Sequence, residues 1–164
     1  MKPDLQNAWS SFVKTTAMGV VFAILTMGSI NAASANPFKK VAGKWRSAGA
    51  TAIIKGKKER IKCRASYSTP GRSLIMSLKC SGPGYFVNVS VDARVIGSKV
   101  KGSWSESQFG KSGWLSGRAS SKSSNLSFGG SSTKGSMSLR LSSRSRHSIY
   151  IRSNGNRVSI PLRR

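Results

Sequence analysis

Acidic side chains are nearly missing from this chain of 164 residues: four Asp and Glu stand against 28 Lys and Arg, a formal net charge of +24. They are Asp4, Glu59, Asp92 and Glu106. A glycoside hydrolase needs two carboxylates roughly 5–10 Å apart across a sugar cleft. Glu59 opens one expected strand and Glu106 closes another, so they remain a conceivable pair, with ion pairing to arginine the simpler use. Histidine is scarcer still. His147 stands alone, and a serine triad would have to combine it with Asp92 or a glutamate, without any G-x-S-x-G elbow. A satisfied or partly exposed strand residue is the simpler role for it. One histidine and two cysteines, Cys63 and Cys80, match no zinc-ligand spacing. No glycine-rich phosphate loop opens a helix. No metal, cofactor or catalytic set is therefore expected, although the chain is not thereby excluded from the enzymes.

Long apolar runs are also missing, with one exception. Residues 15–30, TTAMGVVFAILTMGSI, follow Lys2 and Lys14 and precede Ala33-Ser34-Ala35, the small-x-small pattern of a signal-peptidase site. The run falls short of the roughly 20 apolar residues of a comfortable membrane span. No cysteine follows it closely, which argues against a lipid anchor; a retained anchoring helix is the alternative. The expected organisation is a signal peptide over 1–35, cleaved near Ala35, and one domain over 36–164. The protein would then work in the periplasm or outside the cell, where disulfides persist. Loss of Lys2, Lys14 and Asp4 changes the charge of +24 by a single unit.

What the chain does contain is alternation. In residues 59–80, Ile61, Cys63, Ala65 and Tyr67 share one face, and Arg60, Lys62 and Arg64 the other. Beyond the S-T-P-G-R turn, Leu74, Met76, Leu78 and Cys80 continue the apolar face. Folding about Gly71–Arg72 sets Cys63 opposite Cys80, Ala65 opposite Leu78 and Tyr67 opposite Met76. The hairpin is thus expected to be stapled by a disulfide, a contribution on the order of 3 kcal/mol in the chain-entropy picture, with two free buried cysteines as the alternative.

The rest continues in the same rhythm. Residues 44–54 form a first strand whose inward face is ambiguous. Tyr85, Val87, Val89 and Val91 alternate up to Asp92, and Ala93–Ile96 follows as a short strand or bulge. Val100, Gly102, Trp104 and Glu106 oppose Lys99 and Lys101. A loop over 107–113 leads into a strand at 114–120. Leu126 with Phe128, and Met137 with Leu139 and Leu141, mark two strands about a flexible Gly129–Gly135 turn. His147, Ile149 and Ile151 precede an Asn154-Gly155 hairpin turn, and Val158, Ile160 and Leu162 end the chain, with Pro161 suggesting an edge or strand end. About eight to ten short strands with short connections point to an all-β fold, a small antiparallel up-and-down barrel. A β-sandwich is the alternative. A transmembrane barrel would carry an apolar outer band, where this chain has Arg60, Lys62, Arg64, Lys99, Lys101 and Arg140.

Gly43…Trp45…Gly49, then ERIKCRASY, a later C-S-G and finally G-S-W-S-E resemble a group of small exported proteins from rhizobia and related alphaproteobacteria. The likeness spans nearly all of the chain after residue 35. It implies an envelope location and carries no activity and no functional residues.

The ordered basic phase is the strongest interaction signal. Arg60, Lys62, Arg64, Lys99 and Lys101 are the candidate contacts to a polyanion, joined by later charge such as Arg140, Arg144, Arg146, Arg152, Arg157, Arg163 and Arg164. Tyr150 stands among them as a stacking candidate. The expected function is non-catalytic binding of an anionic envelope polymer or lipid headgroup, such as lipopolysaccharide. Nucleic acid would bind in a test tube as well. Two alternatives remain: a small barrel carrier or hydrolase for an apolar or saccharide ligand, with Tyr85, Trp104 and Met76 lining its interior, and a structural envelope protein without a dedicated ligand. Oligomeric state is left open.

Overall fold

The structure, a computed structural model, describes residues 35–130 and 132–164. The expected signal peptide, up to its last residue Ala35, lies outside the described residues. Eleven strands follow one another: β1 (Gly43–Ser47), β2 (Ala50–Ile54), β3 (Lys57–Ser68), β4 (Ser73–Gly82), β5 (Tyr85–Ile96), β6 (Lys99–Glu106), β7 (Lys111–Ala119), β8 (Ser123–Gly130), β9 (Thr133–Ser143), β10 (Arg146–Ser153) and β11 (Asn156–Arg163). From β2 onward, each pairs antiparallel with the next. Both β1 and β2 lie between β3 and β11, so the sheet closes on itself. The fold is the up-and-down barrel, and closure leaves no sandwich to consider.

β1 and β2 are two halves of one stave. Arg46 faces Arg64 and Ala50 faces Ile61, so four steps along this stave match three along β3. A bulge at Ala48–Gly49 absorbs the difference, with Gly49 at φ 80°, where a side chain would be strained. The bulge also switches the phase: Trp45 points inward before it, Ala50 and Ala52 after it, and all three are buried. That switch is why the 44–54 alternation is ambiguous. The Ala48 N–H donates to the Pro161 carbonyl at 2.8 Å. Pro161 therefore turns its donorless nitrogen toward the broken ladder, in a closed barrel rather than at an edge.

Inside, alternation puts the apolar phase of every strand into one core. The Cys63–Cys80 disulfide is formed, and Ala65–Leu78 and Tyr67–Met76 pair as the sequence predicts. The two-residue turns Lys55-Gly56 and Asn154-Gly155 have positive φ throughout (49°, 81° and 47°, 79°), the twist that a tight hairpin requires. The outward phase is mostly Lys, Arg and Ser, the inverse of a transmembrane barrel. Among the described residues no helix is long and apolar enough to cross a membrane.

Four expectations are corrected. β5 runs unbroken from Tyr85 to Ile96, with Ala93 and Val95 buried beyond Asp92. β7 begins at Lys111 rather than at 114, because Glu106 closes a shorter turn, described below. The Gly129–Gly135 segment belongs mostly to strands. Its glycines make room for rings: a Cβ on Gly129 would lie 2.8 Å from the Trp114 ring, and one on Gly135 2.5 Å from Phe128. Residues 36–43 are more than a lead-in. A 3₁₀ turn over Lys39–Val41 inserts Phe38 and Val41, both 3% exposed, into one end of the barrel.

Candidate functional site

A broad open groove of about 1300 Å³ crosses the outer face of β1 to β5. Arg46, Lys58, Arg60, Lys62, Arg64 and Lys79 line it together with one carboxylate, Glu59, and with Phe86 and Asn88 on β5. The cause is local. Period-two alternation on β3 sends Arg60, Lys62 and Arg64 outward while Ile61, Cys63 and Ala65 enter the core. Pairing then adds neighbours, setting Arg64 opposite Arg46 on one side and Lys79 on the other, and Lys62 opposite Ser81. All six cationic residues are exposed, which keeps their charge accessible.

The structure therefore brings together three of the five predicted contacts and adds Arg46, Lys58 and Lys79, which alternation along single strands did not connect. Lys99 and Lys101 lie elsewhere. They face outward on β6, three strands around the barrel from β3, where Lys99 opposes Arg118 and Lys101 opposes Arg94. Tyr150 is outward but engaged: its hydroxyl accepts from Arg152 Nε at 3.0 Å, and the guanidinium lies over the ring.

The two strand glutamates are engaged separately. Glu106 is 6% exposed, and its oxygens accept the backbone N–H groups of Asn88, Gln108 and Phe109 at 3.1, 2.9 and 2.6 Å. Burial pushes its pKa up, but those three bonds and nearby Lys111 outweigh it and hold the carboxyl below its ordinary value. The group locks the β6–β7 turn through these three bonds. Glu59 accepts from the Tyr85 hydroxyl at 3.0 Å. Burial first, and then that carboxylate, raise the phenol's pKa.

His147 is buried at the end plugged by Phe38. Its ring meets Trp45 edge-on at 4.2 Å between centroids, and its Nε2 shares a 2.9 Å hydrogen bond with the Tyr67 hydroxyl. Burial and then Arg164 lower its pKa to about 4, so the ring is neutral. Burial likewise drives the Tyr67 phenol far upward. Arg164 seals this end: it lies 4.5 Å over the Trp45 ring and donates to the carbonyls of Arg144, Ala42 and Lys40. Among the described residues its partners are the Tyr67 hydroxyl and the cationic Arg164 rather than a carboxylate, so they build no triad on His147. No group of three or more metal-ligating side chains occurs among the described residues.

The other end is less well covered. Ile54, Tyr85, Val87, Val89, Phe128, Ile151 and Val158 point inward there and are half-buried. Met76 and Trp104, considered for a ligand cavity, are packed into the core instead.

No protein-family model matches the chain, and no curated protein matches it in sequence. A solved structure shares the fold: the S-type phycobiliprotein lyase CPES from Guillardia theta, 12% identical, with a TM-score of 0.50 over 77% of this chain and 90% of that one. The chain is thus a small β-barrel of the kind found in that lyase, and at this identity the likeness is one of fold.

Proposed function

We propose that the protein is a non-catalytic binding barrel that holds an anionic polymer or headgroup in the groove outside β1 to β5. The observation that carries this reading is the convergence of Arg46, Lys58, Arg60, Lys62, Arg64 and Lys79 on one concave surface. Guanidinium forks engage carboxylate or phosphate in pairs, and several such contacts add up where one exposed ion pair is worth little. The apolar run over 15–30 and Ala33-Ser34-Ala35 support export to the periplasm or beyond, in keeping with the resemblance to exported alphaproteobacterial proteins. There lipopolysaccharide and acidic polysaccharide are the nearest polyanions. Titration against each at several salt concentrations tests the reading. Binding should weaken as salt rises and drop in a variant with Arg60, Lys62 and Arg64 changed together to Gln. Equal binding by both proteins would remove the site.

A second reading has its own observation. The half-buried apolar rim at the less covered end, in a fold shared with a phycobiliprotein lyase, suits a carrier that takes an apolar or saccharide ligand at its mouth. Binding of the uncharged probe N-phenyl-1-naphthylamine, insensitive to salt and lost in Phe128→Ser, would move the assignment there.

A further inference from the structure

Strand register assembles a feature that no single strand contains. Arg146 on β10 faces Arg163 on β11, Arg163 faces Arg46 on β1, Arg46 faces Arg64 on β3, and Arg64 faces Lys79 on β4. Five cations thus occupy successive partner positions across five adjacent strands, all exposed. The row ends on β5 at Asn88, the partner of Lys79. Strands lie about 4.8 Å apart, so the row is roughly 19 Å long. Its last three cations lie in the groove, and its first two carry it past the groove's edge.

Like charges placed directly opposite one another destabilise a sheet. Here the repulsion is left standing. Among the described residues none of the five donates a side-chain hydrogen bond within the protein, whereas neighbouring Arg164 spends its guanidinium on three carbonyls. None of the three acidic side chains among the described residues sits in the row: Glu59 is held by Tyr85, Glu106 by backbone, and Asp92 faces Ile75 and Ser103. A self-repelling line of free forks costs folding energy and returns it only when anions arrive at matching intervals.

We propose that this row is a track for a linear acidic polysaccharide, laid across the strands rather than along β3. The inference rests on the polyanion reading above and gives that site its direction and its ligand class. Four of the five cations are arginine, whose planar fork fits a carboxylate bidentately. Single-stranded nucleic acid needs aromatic platforms for its bases. The row itself contains no aromatic residue, Tyr150 is taken by Arg152, and the groove's exposed ring, Phe86, lies beside the row's end at Asn88 rather than between its cations. A chain with charges on its units and no bases fits better.

Oligogalacturonates of increasing length are the probe, measured by calorimetry at low salt. Affinity should climb until the oligomer spans about 19 Å and then flatten. The double variant Arg46→Gln/Arg163→Gln should bind about tenfold more weakly or worse. Arg60→Gln/Lys62→Gln, which removes the same charge along β3, should lose no more than about threefold. Relief of repulsion should leave the row variant at least as heat-stable as the wild type, a change that a merely structural role would not give. Equal losses in the two doubles would overturn the track while keeping the groove. Absence of wild-type binding to oligogalacturonate and lipopolysaccharide alike would overturn the groove itself. Tighter binding of a single-stranded oligonucleotide than of oligogalacturonate of equal charge would overturn the ligand class.

Discussion

The two ends of the barrel are built to different standards. At one end Phe38, Val41, Trp45, Tyr67, Leu74, His147 and Leu162 are all nearly inaccessible, and Arg164 straps the incoming chain over them. At the other end the inward residues Ile54, Tyr85, Phe128, Ile151 and Val158 remain half-buried. Both ends follow the same alternation. The difference comes from what lies beyond the strands, because among the described residues only the first end has a segment that folds back across it. Alternation alone fills the waist of a barrel, and an end is closed only by chain recruited from outside the sheet.

The widest expected gap is in core truncation. Trp45→Ala at the plugged end should cost about 3–5 kcal/mol, since the ring is 1% exposed, donates to the Val41 carbonyl at 2.8 Å and carries both His147 and Arg164. Phe128→Ala at the less covered end should cost about half as much or less, as its ring is already partly hydrated. Chemical denaturation of the two variants measures the gap, and equal costs would mean that the second end is covered after all.

The exception at the second end is Glu106. Glu106→Ala strands three N–H groups and should cost about 3 kcal/mol, opening the β6–β7 turn to faster amide exchange at Gln108 and Phe109. Because the carboxyl titrates below its ordinary range, the stability it supplies is present at neutral pH. It disappears as pH falls through the folded-state value.

Acid should attack the plugged end sooner. In the unfolded chain His147 takes up a proton near pH 6.5, but in the folded chain only near 4. Stability should therefore fall by about 3 kcal/mol as pH drops across that window. Melting curves of the wild type and His147→Phe check it: the variant should lose the slope between pH 6.5 and 4 and keep the Glu106 loss below it.

The smallest expected effect belongs to the strap. Arg164→Gln should cost about 1 kcal/mol, with the lost protection confined to Lys39–Val41 in hydrogen exchange. A loss spread evenly over both ends would show that the plug is not a local device.

Much of this molecule was legible in its residues. Period two on β3 and β4 paired Cys63 with Cys80 and Tyr67 with Met76. The Asn154-Gly155 dipeptide marked a tight turn, and short connections implied an antiparallel meander. These are local properties: a side chain alternates because its own backbone is pleated, and a two-residue turn reverses the chain through its own φ angles. Of the candidate site, the Arg60, Lys62 and Arg64 face was legible for the same reason. The phase switch at Ala48–Gly49, the Phe38 plug, the separation of Lys99 and Lys101 from the groove and the row from Arg146 to Lys79 were not. Each depends on register between segments far apart in the chain, as Arg46 and Arg163 are, and that register is decided only when the last strand pairs with the first. The sequence by itself determined which side of each strand is charged; closure of the barrel decided which charges meet, because partners across a sheet are chosen by hydrogen bonding around the whole ring.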